Sequence, residues 1–173
     1  LKLSRGLGDV YKRQAQDSVS CKGLSDGSAS IGGITGGNGI YSYSWMDSLG
    51  NDLGQNNDTA TGLPAGTYKV TGTDQKGCSD DTTVTVEEPD VLFANSTAQD
   101  SVSCFGLFDG KASVTAIGGN GDYSYLWDAS AGSQTSDTAI NLGAGTYTVT
   151  VTDQYGCSDD TTVTVEEPDV LFA

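Results

Sequence analysis

Four cysteines are the residues of this chain best able to form a covalent bond. Cys21 and Cys78 lie 57 residues apart, and Cys104 and Cys157 lie 53 apart. Four cysteines allow three pairings, and the recurrence of the spacing favours Cys21–Cys78 with Cys104–Cys157. Closing a loop of that length restricts the unfolded chain by about 4 kcal/mol and calls for an oxidising compartment. The rivals are a metal site, which has neither CxxC spacing nor any histidine to support it, and buried free thiols.

Carboxylates are the second set able to do chemistry. Asp26 and Asp109 each precede a glycine five residues after a cysteine, and Asp80-Asp81 and Asp159-Asp160 follow a cysteine by two. Calcium takes six to eight oxygens, and these aspartates could supply several. The plainer reading is DG as a turn and DD as solvated surface. No other cofactor is expected.

The third set is aromatic. Tyr41, Tyr43 and Trp45, and again Tyr123, Tyr125 and Trp127, alternate along the chain, so each trio shares one face of a strand. Exposed, such a face would stack on sugar rings. Inward, it would be core, which the scarcity of other large apolar residues favours. Tyr68 and Tyr147 look like anchors whose hydroxyl caps a corner of a sandwich. With no histidine, His-dependent triads and most zinc sites are excluded. GGNG at 36–39 and 118–121 lacks the lysine and helix of a phosphate cradle and reads as a turn. No catalytic residue is expected, and the chain is read as a non-enzyme.

The elements that must position these residues are repeated. QDSVSC recurs at an offset of 83, GGNG-x-YSY-x-W at 82, AGTY at 79, and GCSDDTTVTVEEPDVLFA at 79. The shortfall falls mainly between Trp45 and Ala65, marking a surface loop. Alternation over Thr67–Asp74 and Thr146–Asp153 predicts half-buried strands, with return strands at Thr82–Val86 and Thr161–Val165. Between them, Asp74–Gly77 and Asp153–Gly156 predict hairpin turns. Glu87-Glu88-Pro89 is the expected joint. Units run over 15–88 and 89–167, each opening with a strand such as Val91–Ala94, and 168–173 reads as the opening of a third. The expectation is all-β: two tandem Ig-like β-sandwich repeats, each with an intra-repeat disulfide, cut from a longer array.

Charge narrows the partners. The 173 residues carry 23 acids against 8 bases, for a net charge of −15, and Lys2, Arg5, Lys12 and Arg13 crowd into the first 14. So acidic a surface repels nucleic acid and anionic lipid, and no apolar run is long enough to span a membrane. Residues 1–14 have no apolar h-region, so they are not a secretory signal. They resemble the in-frame translation of a sequencing adapter, the competing reading being a divergent strand.

VSCFGLFDGKASVTAIGGNGDYSYLWD followed by LGAGTYTVTVTDQYGCSDDTTVTVEEP resembles the SprB repeat of surface adhesins from gliding and related Bacteroidetes-type bacteria. The likeness covers residues 15–173 in both copies. The first copy departs at Gly72, where the second has Val151, and in its longer loop Met46–Leu63; the expectation is a looser strand there. The resemblance implies a large protein secreted by the type IX system and displayed on the outer surface, serving adhesion and in some members gliding. Its expected partners are extracellular surfaces, polysaccharide or neighbouring cells, and adjacent repeats of the same chain. A carbohydrate-binding or spacer module of a secreted hydrolase is the alternative.

Overall fold

A computed structural model describes residues 14–172 and divides the chain into two compact units, Leu1–Glu88 and Pro89–Ala173. The question raised by residues 1–14 concerns a segment that, up to residue 13, lies outside those described. Gln14 itself opens the first strand.

The first unit contains β1 (Gln14–Asp17), β2 (Gly27–Ile31), β3 (Tyr41–Met46), β4 (Thr59–Leu63), β5 (Gly66–Asp74) and β6 (Ser79–Val86). They form two three-stranded antiparallel sheets, ordered β1-β2-β4 and β3-β5-β6. The second contains β7 (Asp90–Asp100), β8 (Gly110–Gly119), β9 (Ser124–Trp127), β10 (Thr138–Leu142), β11 (Gly145–Thr152) and β12 (Ser158–Val165). Its sheets are ordered β10-β8-β7 and β12-β11-β9, also antiparallel.

Alternation along the strands explains the cores. In β11, Tyr147, Val149 and Val151 are buried while the threonines between them are exposed or half-buried, as a pleat with one apolar face requires. Ala29, Ile31, Ala60 and Leu63 of one sheet meet Trp45, Tyr68, Val70, Val84 and Val86 of the other. In the second unit Ala112, Val114, Ala139 and Leu142 meet Trp127, Tyr147, Val149, Val163 and Val165. Each unit is a sandwich with its own interior.

One tyrosine locks a corner in each sandwich. The Tyr68 hydroxyl donates to the Pro64 carbonyl at 2.7 Å, and that of Tyr147 to the Gly143 carbonyl at 2.9 Å. Both close a bond back over four residues, as a sandwich corner does. The DG dipeptides are not turns. Gly27 and Gly110 open β2 and β8 in buried positions, where a Cβ on Gly110 would lie 2.6 Å from Val165 Cγ1 and 2.9 Å from the Leu142 carbonyl oxygen. A glycine is needed there because chain and side chain converge on it.

The loop that absorbs the length difference sits between Trp45 and Gln55. Gln55 exchanges two hydrogen bonds with Thr61, and Gln134 does the same with Ile140, so the copies are back in step by those glutamines. Over the intervening stretch the second unit uses a short 3-10 helix, Ala129–Ala131, capped by Asp128. The first uses an aspartate-centred turn in which Asp47 accepts from the amides of Leu49 and Asn51.

Candidate functional site

The residues able to do chemistry gather at the two ends of each sandwich, one cysteine to an end. The leading end of a unit carries the hairpin between its last two strands. In the first unit this is the β5–β6 turn, organised by the buried carboxylate of Asp74. Its Oδ1 accepts from the amides of Lys76 (2.9 Å) and Cys78 (2.8 Å), and its Oδ2 from the amide (3.0 Å) and side chain (3.1 Å) of Asn38. Gly77 closes the turn at φ 82°, in the left-handed region that glycine reaches without strain. The aspartate thus ties the GGNG loop to the turn and fixes the backbone of Cys78.

The second unit repeats the arrangement. Asp153 accepts from Tyr155 and Cys157 on one oxygen and from the amide and side chain of Asn120 on the other, all within 2.8–3.0 Å. The amide of Cys78 is the main cause holding the Asp74 carboxyl below its ordinary value, with the Asn38 side chain next. For Asp153 burial pushes upward, but the hydrogen bonds from Asn120, Cys157 and Tyr155 outweigh it and the net shift is also downward.

The trailing end, where the last strand finishes, carries the other cysteine. Val19 donates to the Glu87 carbonyl at 3.0 Å, and Val102 to that of Glu166 at 3.0 Å. Asp26 accepts from the Ser20 amide (2.9 Å) and hydroxyl (2.5 Å), and Asp109 does the same for Ser103 (3.0 and 2.6 Å). Glu88 accepts from the Gly23 amide at 3.2 Å and pairs with Lys22 at 2.6 Å; Glu167 accepts from Gly106 at 3.1 Å. These carboxylates grip the loops that present Cys21 and Cys104.

This placement corrects the expected cysteine pairing. Cys78 and Cys104 carry free, exposed thiols. Neither Cys21–Cys78 nor Cys104–Cys157 forms. The reason is the length of the last strand: Cys78 precedes β6, and Cys21 sits beside the residues that follow it. The nine steps from Cys78 to Glu87, at about 3.3 Å each, separate the two ends by roughly 30 Å. A disulfide needs Cα atoms within about 7 Å.

The same geometry scatters the aspartates considered for calcium. Asp26 and Asp109 cap loops at the trailing ends. Asp80, Asp81, Asp159 and Asp160 lie near the start of β6 and β12, across the strand from residues 71–72 and 150–151. There Asp81 pairs with Lys69, and Asp159 accepts from the Ala94 amide at 2.8 Å. Among the described residues no group of three or more His, Cys, Asp or Glu side chains is placed to hold a metal ion.

The aromatic trios face inward. Trp45 and Trp127 are 0% and 1% exposed, and their indole N–H groups donate to the carbonyls of Asn57 and Ser136 at 2.9 Å each. They cannot stack on a sugar. Tyr43 and Tyr125 are half-buried against the same cores. Tyr41 and Tyr123, also half-buried, donate their hydroxyls to the carbonyls of Gly36 and Gly118. The sequence reading missed the structural task of Asp74, Asn38, Asp153 and Asn120; the duplicated GGNG and TD-Q-x-GC motifs were the visible sign.

With this geometry in view, known proteins can be compared. The SprB repeat family matches residues 13–50 and 96–132. Two segments of the chain are thus similar to the SprB repeat. Each matched segment runs from the strand before the first cysteine, through the capped aspartate, and past the tryptophan strand. A curated relative, the Decoration protein of Escherichia phage T5, is 47% identical over 58 residues, 29% of this chain and 35% of that protein. Among solved structures, the C-terminal 282-residue fragment of intimin, in complex with the translocated intimin receptor intimin-binding domain, is similar with a TM-score of 0.45. Identity is 16%, over 88% of this chain and 63% of that one. DIP-gamma IG1+IG2 is similar with a TM-score of 0.37 and 13% identity, over 90% and 89% of the two chains. No helix among the described residues is long and apolar enough to cross a membrane.

Proposed function

We propose that these SprB-like repeats are Ig-like modules of a large secreted adhesin on the outer cell surface. There they act as a multivalent stalk or binding array and serve attachment, with gliding as one setting and the type IX system as the export route. The observation that carries this reading is the duplication itself. One closed sandwich, with the same capped cysteine at each end, is built twice in tandem, and repetition is how weak surface contacts are summed. The tyrosine corners and the two-sheet packing support the Ig-like description. The acidic surface suits an extracellular stalk that stays soluble and extended. A segment shared with a phage protein named for decoration fits surface display. Burial of both tryptophans counts against the sugar-platform alternative, because the rings that would stack are consumed by the core.

The experiment is antibody labelling of intact cells that make the protein, coupled to an attachment assay with the repeat segment deleted. The reading expects labelling without permeabilisation and reduced attachment on deletion. Labelling only after permeabilisation would overturn it.

A further inference from the structure

The trailing ends of the two repeats differ by a substitution with a chemical consequence. Lys22 follows Cys21 in the first repeat, and Phe105 follows Cys104 in the second. The glutamate and the loop amide beside them are the same in both. Glu88 Oε2 accepts from the Gly23 amide at 3.2 Å, and Glu167 Oε2 accepts from the Gly106 amide at 3.1 Å. In the first repeat the other oxygen, Oε1, takes the Lys22 ammonium at 2.6 Å. In the second, phenylalanine stands in place of that lysine, and Glu167 Oε1 has no ammonium partner among the described residues. The second repeat has no spare base to send there. Lys111 is the only one in residues 89–173, and it pairs with Asp100 at 3.7 Å.

Glu167 also lines a cavity of about 540 Å³, together with Phe105, Pro168, Asp169, Val170 and Phe172. Two carboxylates and four apolar side chains set its chemistry. A ligand that satisfies both must carry a positive charge and an apolar stem. The face of a phenylalanine ring attracts an ammonium that lies within about 6 Å of its centre. Lysine has the matching shape, because its methylenes can lie along apolar surface while the head group stays with a carboxylate. Calcium fits less well, since two carboxylates fall short of its six to eight oxygens.

We propose that the trailing end of the second repeat is a binding site for a lysine side chain presented by a partner polypeptide. The ammonium takes the oxygen of Glu167 that Lys22 takes on Glu88, and Asp169 adds a second negative charge. The stem packs against Phe105, Val170 and Phe172. One repeat is closed by its own lysine, and the other is open to a foreign one. A single exposed ion pair of this kind is weak, so the site contributes to adhesion only where many copies act together.

The test is an NMR titration of the isotope-labelled full chain with the peptide acetyl-Val-Lys-Val-amide. Saturable shifts are expected at the amides of Gly106 and Asp169, and none at Gly23, whose glutamate Lys22 already holds. The same peptide with its lysine acetylated should move neither amide. Glu167→Gln should weaken binding about fivefold, the upper end for an exposed ion pair. Phe105→Lys gives the second repeat the first one's own pair and should abolish binding. The proposal is overturned by an absence of shifts at millimolar peptide, by equal shifts with the acetylated peptide, or by shifts spread over the acidic residues of both repeats. Shifts with choline but not with the lysine peptide would also refute it, because the ligand would then be a quaternary headgroup. Binding is read on the purified chain, so these outcomes stand apart from whether the repeats serve attachment.

Discussion

Strand β5 of the first repeat has Gly72 where β11 of the second has Val151, yet both sandwiches are filled. A Cβ on Gly72 would lie 2.0 Å from Ile34 Cδ1, so Ile34 occupies the volume that Val151 occupies in its own unit. The offset of the GGNG motif makes Ala116 the counterpart of Ile34. Large-over-small in one repeat becomes small-over-large in the other. The expected looseness at Gly72 is therefore offset by a side chain of the loop that follows β2. What two copies of one fold keep constant is the volume of the interior, and not the residue at each position.

The largest expected effect asks whether the copies share a need for their tryptophan. Trp45→Ala and Trp127→Ala should each destabilise the unit concerned by about 3–5 kcal/mol, read by denaturant unfolding. A loss under 1 kcal/mol in either would break the equivalence. Next in size is the exchange itself. Gly72→Val alone should cost about 1–3 kcal/mol through overpacking, and adding Ile34→Ala should recover much of it. A double variant no better than the single one would mean that the two sites are independent. Tyr68→Phe and Tyr147→Phe should each cost about 1 kcal/mol, the net worth of one hydrogen bond, and by similar amounts if the corners are equivalent.

The smallest effect concerns pH. The Asp74 and Asp153 carboxyls both lie below their ordinary value in the folded chain. A depressed folded-state value contributes stability that is present above the unfolded carboxyl range, near pH 3.9, and is lost as pH falls through the folded value. Melting temperature should drop across that acid window, and Asp74→Asn and Asp153→Asn should flatten the drop. An unchanged acid limb in both variants would remove these aspartates as its source.

Much of the architecture was legible because alternation and duplication report backbone geometry directly. β5, β6, β11 and β12 fall on segments where threonine and valine alternate, and the inward face of Trp45 and Trp127 follows from period two with few other large apolar residues. The cysteine pairing was not legible. Equal spacing in two copies suggests a bond within each repeat, and only the length of the last strand shows that the two cysteines of a repeat stand at opposite ends of its sandwich. The roles of Asp26 and Asp109 stayed open in the sequence for a related reason: a carboxylate that caps a loop and one that binds a cation have the same sequence signature.

Identical sequence can also end in different states. PDVLFA occurs at 89–94 and at 168–173. In the first position it enters β7, pairs with β8 and buries Leu92 to 6% exposure, whereas Leu171 in the second is 95% exposed. The hexapeptide supplies an apolar face, but only a neighbouring strand turns that face into core.

The account depends on each repeat holding its own interior. Amide hydrogen exchange on the full chain carrying Trp127→Ala reads this most directly. Protection should fall across β8, β11 and β12 while Val70 and Val84 of the first repeat keep their wild-type rates. Joint loss of protection in both repeats would contradict it.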